Sequence, residues 1–310
     1  EFEGQDSNTL SITGTKTINI PTITADATVV DKKDTTKNVE IYFKDNESFE
    51  SVIEAMNNFN KVSYDGDTIT ITYNNADMNG KNVSLNIITT RDTFRDNINA
   101  LVDGDATGLI NSLNTGYINT ATVSSGKAEF TINADDSKAD YFVIITEGNG
   151  VKTTDDDVKI LAIGGFEVMK YELTLTYNGT DDENKPVYNM SLNDAPTNDV
   201  RYGLAMIDKT VGIKLNVVGT NPNNNLFNVS VVGNSGSEII VENNDFITLS
   251  AKKIQDISGT IFNSAASVSY SDEITKENKD TLKVKNISNA YVIGVVYDTV
   301  DKKIVAVEQQ

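Results

Sequence analysis

Polar and apolar residues alternate in short runs along most of the chain. Clear examples are residues 67–73, 127–133 and 172–177, which are rich in threonine, isoleucine, leucine and tyrosine. A period of two sends successive side chains to opposite faces of a strand, and β-branched and aromatic residues favour half-buried strands. Turn-forming clusters, such as 64–67 and 178–182, separate the runs. The pattern predicts a mainly β protein built of short antiparallel strands.

Few segments show the period of an amphipathic helix. Apolar residues fall on one helical face over 49–56, where Asn46 could cap the helix, and again over 94–102 and 109–113. A weaker pattern covers 251–263 and is interrupted by a glycine. We expect these short helices, most of them in the first half, to pack against a sheet face or the end of a sandwich.

The two halves of the chain end in similar ways. Residues 127–163 and 281–307 each contain a strand, a turn, a tyrosine-led apolar strand, an Asp-containing turn and a Lys-bearing apolar strand. This faint repeat predicts two β-sandwich-like domains, 31–169 with a helical insert and 170–310. Two unrelated domains that both close on a hairpin remain the alternative.

Residues 1–30 are predicted to form an extended N-terminal arm. The segment from Leu10 to Ile20 is rich in threonine, and Pro21 interrupts it. Proline confines a strand to an edge or to a strand start. The arm could pair within its own domain, which we favour, or add as a strand to a neighbouring subunit.

The composition excludes much of the chemistry that proteins perform near neutral pH. The 310 residues include no histidine, cysteine or tryptophan. Ser-His-Asp and Cys-His catalysis, disulfides, and imidazole or thiolate metal sites are therefore impossible. A Ser-x-x-Lys spacing at Ser124 and Lys127 lies in a predicted hairpin turn. We expect a protein that is not an enzyme, although a glycosidase needs only two carboxylates and stays open.

The formal net charge of -19 limits the partners. Such a field repels nucleic-acid phosphates and anionic lipids, so we expect neither nucleic-acid binding nor direct membrane insertion. No stretch approaches the roughly 20 apolar residues of a membrane span. The acidic start at Glu1 is unlike a signal peptide, which fits either a mature exported chain or a cytosolic one.

Acidic turns are the best candidates for a cofactor, and calcium is the cofactor that such oxygen clusters could bind. None has the spacing of an EF-hand, and solvated turn residues are the alternative interpretation. Similar acidic turns occur at 135–136 and 181–183. The candidate metal ligands are Asp65, Asp67, Asp103, Asp105, Asp155, Asp156 and Asp157.

Asn-x-Ser/Thr sequons would carry glycans if the protein is exported. The chain is so rich in these residues that chance alone accounts for a similar number. The candidate glycosylation sites are Asn46, Asn82, Asn178, Asn189, Asn228 and Asn286.

The chain resembles archaeal cell-surface proteins, particularly S-layer and sheath-type proteins of methanogens. The residues that carry the resemblance are the segment 141–150, the segment 201–207 and the closing hairpin 291–307. The resemblance implies tandem β-sandwich domains and subunits that tile or stack into an envelope. Many such proteins have a C-terminal membrane anchor, whereas this sequence ends at Gln310 without one. Either the anchor is missing from this sequence or neighbouring subunits hold the protein.

The expected function is that of a structural subunit in an extracellular cell-surface assembly. The S-layer, sheath or filament would form through contacts between copies of the chain, its expected partners. The alternative is an adhesin-type binding module whose loops recognise carbohydrate or a partner protein.

Overall fold

The computed structural model describes residues 8–20, 22–29, 60–90, 93–94, 96–97, 100, 105–138, 140–153, 157–219, 227–233, 238–241 and 265–310. Strands dominate these parts of the chain, and most strand pairs are antiparallel. The prediction of a mainly β protein with sandwich-like sheets is confirmed. The predicted helices at 49–56 and 251–263 lie outside the described residues.

The described part of the first half contains ten strands, and nine of them belong to two sheets. Their bounds are β1 (Thr9–Thr13), β2 (Lys16–Thr17), β3 (Thr22–Val29), β4 (Lys61–Tyr64), β5 (Thr68–Asn74), β6 (Asn82–Ile88), β7 (Tyr117–Thr122), β8 (Lys127–Asn133), β9 (Asp140–Glu147) and β10 (Ile160–Met169). Helix α1 (Thr107–Thr115) and the 3-10 turns Ala76–Met78 and Asp136–Lys138 connect them.

The first sandwich packs a three-stranded sheet against a six-stranded one. The sheets have the orders β1-β5-β8 and β2-β4-β10-β9-β6-β7. Among the described strand pairs of these two sheets, β4 with β10 is parallel and the others are antiparallel. Alternation along β5 sends Ile69, Ile71 and Tyr73 inward, where they are fully buried. They share one core with Leu85 and Phe166 from the six-stranded sheet. Burial of these side chains provides the main driving force for the packing of the two sheets.

The strands of the second half have the bounds β11 (Leu173–Thr180), β12 (Pro186–Leu192), β13 (Val200–Asp208), β14 (Gly212–Gly219), β15 (Phe227–Gly233), β16 (Glu238–Val241), β17 (Ala266–Tyr270), β18 (Lys279–Lys283), β19 (Ala290–Asp298) and β20 (Lys303–Gln309). The sheets β11-β12-β18 and β17-β13-β19-β20 face each other. Their shared core contains Met190, Tyr202, Leu204 and Val296.

The two sandwiches have the same strand order. Seven strands of the first sandwich correspond, in chain order, to seven strands of the second, and they have the same partners in each pair of sheets. The corresponding strands are β1 and β11, β5 and β12, β6 and β13, β7 and β17, β8 and β18, β9 and β19, and β10 and β20. Insertions occur at the same place, α1 between β6 and β7 and the strands β14 to β16 between β13 and β17. The repeat of the closing hairpins is therefore part of a repeated topology. The predicted domain limits themselves stay a prediction.

The helical insert packs on the first sandwich. Leu109 and Leu113 of α1 are buried with Phe142 of β9, and the ring of Phe94 stacks on Phe142 at a centroid distance of 4.2 Å. This confirms the helix predicted over 109–113. Only part of the segment 94–102 is described.

The N-terminal arm connects the two halves. β1 and β2 pair with β5 and β4 of the first half, whereas β3 pairs in parallel with β14 from Thr22 to Val29. An ion pair between Asp26 and Lys214, 2.7 Å long, accompanies this pairing. The described arm therefore pairs within its own chain. Exchange between subunits stays a hypothesis.

The halves also meet through an apolar contact. Ile18, Val62 and Met169 of the first half are buried against Val307 of β20, and Val295 of β19 packs beside them. The outer face of the sheet β17-β13-β19-β20 is thus covered at its β20 end. β17 lies at the opposite end of that sheet, farthest from β20.

Candidate functional site

Two acidic turns of the first sandwich meet in space. β5 pairs antiparallel with β8, so the turn before β5 lies beside the turn after β8. Carboxylate oxygens of Asp65, Asp135 and Asp136 lie within 4.8 Å of one another. Gly66, with φ +83°, allows the tight turn that presents Asp65. We call these three residues the acidic cluster.

Hydrogen bonds hold the acidic cluster in place. Asp65 Oδ1 accepts a hydrogen bond of 3.1 Å from the Asp136 backbone N–H. Asp135 Oδ1 accepts from the backbone N–H and the hydroxyl of Ser137, at 3.0 and 2.6 Å. These Ser137 hydrogen bonds lower the pKa of the Asp135 carboxyl below its ordinary value. The Asp135 carboxyl is consequently ionised at neutral pH even without a metal.

Two lysines lie beside the acidic cluster. Lys138 Nζ is 3.8 Å from Asp135 Oδ2, and Lys303 Nζ donates a hydrogen bond of 3.0 Å to the backbone carbonyl of Asp136. Their charges offset part of the negative field that would attract a cation. Calcium takes six to eight oxygen ligands, so the three carboxylates would need carbonyl or water oxygens as well. The arrangement suits a weak, partly hydrated calcium site.

Among the described residues, the other predicted metal ligands belong to no group of three carboxylates. The Asp67 carboxylate bonds within its own turn, where it accepts a hydrogen bond of 2.8 Å from the Tyr64 backbone N–H. Asp105 is exposed and accepts a hydrogen bond of 2.8 Å from the backbone N–H of Thr107, at the start of α1. Asp157 is exposed. The candidates Asp103, Asp155 and Asp156 lie outside the described residues.

Sequence reasoning missed the pairing of Asp65 with Asp135 and Asp136. It treated 65–67 and 135–136 as separate turns. The signal that could have joined them is the pairing of two alternating segments, 68–74 with 127–133. The structure therefore joins Asp135 and Asp136 to Asp65, whereas Asp67 lies outside the acidic cluster.

The candidate glycosylation sites differ in accessibility. Asn178, Asn189 and Asn286 are exposed, whereas Asn82 is half-buried and its amide nitrogen donates to Asn149 Oδ1 at 2.9 Å. A glycan on Asn82 would break that hydrogen bond. Asn228 lies on β15, and Asn46 lies outside the described residues. All six stay predictions.

Exposed apolar side chains gather on strands at sheet edges. Among the described residues, large apolar side chains that are exposed include Ile118 on β7, Tyr177 on β11, Val268 and Tyr270 on β17, and Ile304 on β20. Each of these strands ends a sheet. An edge strand has unpaired backbone donors and acceptors, and apolar side chains on it favour contact with another chain. These edges form a second candidate site, one that binds by contact.

No protein-family model and no curated protein sequence matches the chain. Among solved structures, a DUF4785 family protein from Legionella pneumophila aligns with 11% identity and a TM-score of 0.38, over 80% of this chain and 53% of that one. A tetra-tandem repeat from the extending region of a large adhesion protein aligns with 12% identity and a TM-score of 0.20, over 79% and 45%.

The FN1–FN3 domains of chicken CNTN1 align with 7% identity and a TM-score of 0.19, over 80% of this chain and 64% of that one. The chain thus spans about half of the first two structures and under two thirds of the third. These remote similarities assign no family and no function. In the described part of the chain, no helix has the length and apolar character needed to cross a membrane.

Proposed function

We propose that the protein is a structural subunit of an extracellular cell-surface assembly, of S-layer, sheath or filament type. It acts by contacts between copies and not as an enzyme. The observation that carries this proposal is the set of exposed apolar side chains on sheet edges, Val268 and Tyr270 above all. In a protein that works alone, such edges are normally covered, charged or bulged.

The composition supports the same proposal. A chain without histidine, cysteine or tryptophan has few groups for catalysis, but nothing in a contact role requires them. The charge of -19 makes copies repel one another at long range. Contacts must therefore form at uncharged positions, and a cation such as calcium at the acidic cluster would reduce the repulsion. Assembly would then depend on the ionic conditions outside the cell.

The second candidate is an adhesin-type module, and one surface feature favours it. Tyr177 is half exposed and its ring packs at a tilt against Tyr188, with centroids 5.5 Å apart. A fixed, partly exposed aromatic ring offers a sugar or a peptide an apolar face beside a hydroxyl. If the protein is an adhesin-type module, Tyr177 binds the ligand and the protein remains monomeric.

Electron microscopy of the purified protein, with and without calcium, tests the proposal. A structural subunit should form sheets, tubes or fibres at high concentration. Strict monomers under every ionic condition would contradict it. A Y177A variant that loses binding to a glycan array, in a protein that stays monomeric, would instead support the adhesin.

A further inference from the structure

We propose that β17 pairs, antiparallel and across a two-fold axis, with β17 of a second copy. This inference rests on the proposed function, because it specifies one contact by which copies associate. The two four-stranded sheets would join into one sheet of order β20-β19-β13-β17-β17-β13-β19-β20. The contact is isologous, so each copy offers the same surface.

Among the described strands, four sheet edges carry exposed large apolar residues, on β7, β11, β17 and β20. The pairings of β7, β11 and β20 each contain a register shift, which bends an edge and protects it. β17 pairs with β13 without a shift from Ala266 to Tyr270. Its sequence, Ala-Ser-Val-Ser-Tyr, contains no charge and no proline. Among these four edges, β17 alone lacks every protective feature.

The backbone of β17 is oriented for this pairing. The Ser271 N–H donates a hydrogen bond of 2.9 Å to the Tyr202 carbonyl of β13. Because hydrogen-bonding positions alternate along an antiparallel strand, the N–H and C=O groups of Val268 and Tyr270 point away from β13. In the described part of the chain, no strand pairs with that edge. Pairing centred on Val268 would place Ala266 of one copy opposite Tyr270 of the other.

The side chains of β17 extend an apolar surface that is partly buried in the contact between the two halves. Val268 and Tyr270 lie on the outer face of the sheet, and the Tyr270 ring lies against Gly203, next to Val295. Val295 packs into the contact between the two halves. The exposed face is thus continuous with a buried interface of the same sheet. A second copy would cover the remaining part, with Tyr270 lying against Ala266 across the axis.

Charges at the two ends of β17 complement each other across the axis. Lys285 is exposed near one end, where its backbone N–H donates to Ser267 Oγ at 3.0 Å. Asp272 is exposed just beyond the other end. Antiparallel pairing brings the Lys285 end of each copy to the Asp272 end of the other. These attractions oppose the general repulsion between two acidic chains.

The contact should be weak by itself. Five paired residues bury much less than the roughly 1,600 Å² of a standard stable interface. We therefore expect the dimer to be populated at high concentration and to become stable when further contacts repeat it in an assembly. Covalent trapping is the suitable test.

A single cysteine on β17 gives an unambiguous test, because the 310 residues include no cysteine. V268C places two thiols across the axis, at a hydrogen-bonded pair with about 5.5 Å between Cα atoms, within disulfide range. The control is V300C, an exposed valine in the turn between β19 and β20. Under mild oxidation V268C should form a disulfide dimer at least ten times faster than V300C. Equal rates would overturn the inference.

Two further readouts fix the register and the accessibility. A mixture of A266C and Y270C should give a mixed dimer, whereas each variant alone should give little. A V268C thiol that does not react with a maleimide in the folded protein would show that the chain itself covers the edge, and would overturn the inference. Circular dichroism confirms that each variant is folded.

A charged variant separates this inference from the proposed function. V268K should abolish cross-strand contact, and V300K is its control. If electron microscopy shows assemblies that V268K leaves intact, the inference fails and the proposed function stands. If V268C forms dimers but no condition yields assemblies, the β17 contact stands and the proposed function fails.

Discussion

Gln309 and Asn19 are joined by three hydrogen bonds that tie the last strand to the N-terminal arm. Gln309 Oε1 accepts from the backbone N–H and the side-chain amide of Asn19 at 2.8 and 2.9 Å, and Gln309 Nε2 donates to the Asn19 carbonyl at 2.7 Å. The Gln309 amide thus pairs with the arm as a backbone group would. Lys16 and Glu308 form an ion pair beside it.

Replacing Gln309 should loosen the arm. Q309A removes all three hydrogen bonds, and we expect a loss of about 1 kcal/mol in the free energy of unfolding, because partly exposed hydrogen bonds are replaced by water. Hydrogen exchange at the Asn19 amide should become faster. The control is Q310A, since Gln310 is exposed and contributes only its backbone N–H, bonded to the Val292 carbonyl. Equal effects of the two variants would show that the Gln309 side chain does not hold the arm.

Gly116 should tolerate no side chain. A Cβ at this position would lie 1.9 Å from the carbonyl oxygen of Ile87, and this oxygen belongs to β6 and cannot rotate away. We expect G116A to destabilise the protein by about 3 kcal/mol or more. The control is G179A, where φ is +82° but no atom lies within 4 Å. Strain alone should cost about 1 kcal/mol there. Urea denaturation followed by circular dichroism measures both, and similar losses would refute the steric argument.

Local pattern predicted the strands well and their long-range partners poorly. Alternation at 67–73 and 127–133 identifies the inward side chains, and Ile71 indeed lies opposite Phe130 between β5 and β8. No local pattern states that Thr22–Val29 pairs in parallel with residues about 190 positions later in the sequence. Strand partners are chosen by the fit of whole sheets, and a pattern of period two is the same for every suitable partner.

For the candidate sites too, the sequence predicts local features but not which of them lie close together in the fold. The sequence marks the acidic turns individually, but the distance between Asp65 and Asp135 depends on the pairing of β5 with β8. The alternating runs do not distinguish an edge strand from a central one. Val268 becomes a candidate contact only when the sheet order leaves β17 at an end. Properties that depend on topology therefore required the structure.

Calcium should stabilise the protein through the acidic cluster. At a free concentration of about ten times the dissociation constant, binding to the folded state should add about 1.4 kcal/mol. D65N removes one charged ligand but keeps an oxygen that can accept the Asp136 N–H bond, so it should fold and lose the calcium effect. D194N, an exposed change outside the cluster and outside the predicted metal ligands, should keep it. Thermal melting with calcium and with chelator measures the shift. An unchanged melt of the natural protein would remove the cluster as a calcium site.

Acid should promote association before it unfolds the protein. The isoelectric point is about 4.3, so lowering the pH from 7 towards 4.5 neutralises carboxylates and removes the repulsion between copies. Hydrogen bonds from Thr210 and Ser137 lower the pKa values of Asp208 and Asp135 below the ordinary value. Their contribution to stability is complete above the unfolded pKa of about 3.9 and is lost as the pH falls through the lower folded values.

Association and unfolding should therefore separate on the pH axis. Light scattering should rise between pH 7 and about 4.5 while the urea midpoint stays nearly constant, and the midpoint should fall only below about pH 4. About 1 M salt at pH 7 shortens the screening length to about 3 Å and should promote association in the same way. The variant V268K should weaken both responses if β17 makes the contact. Scattering that rises only where the urea midpoint falls would mean that unfolded chains aggregate, and would contradict charge-limited assembly of the folded protein.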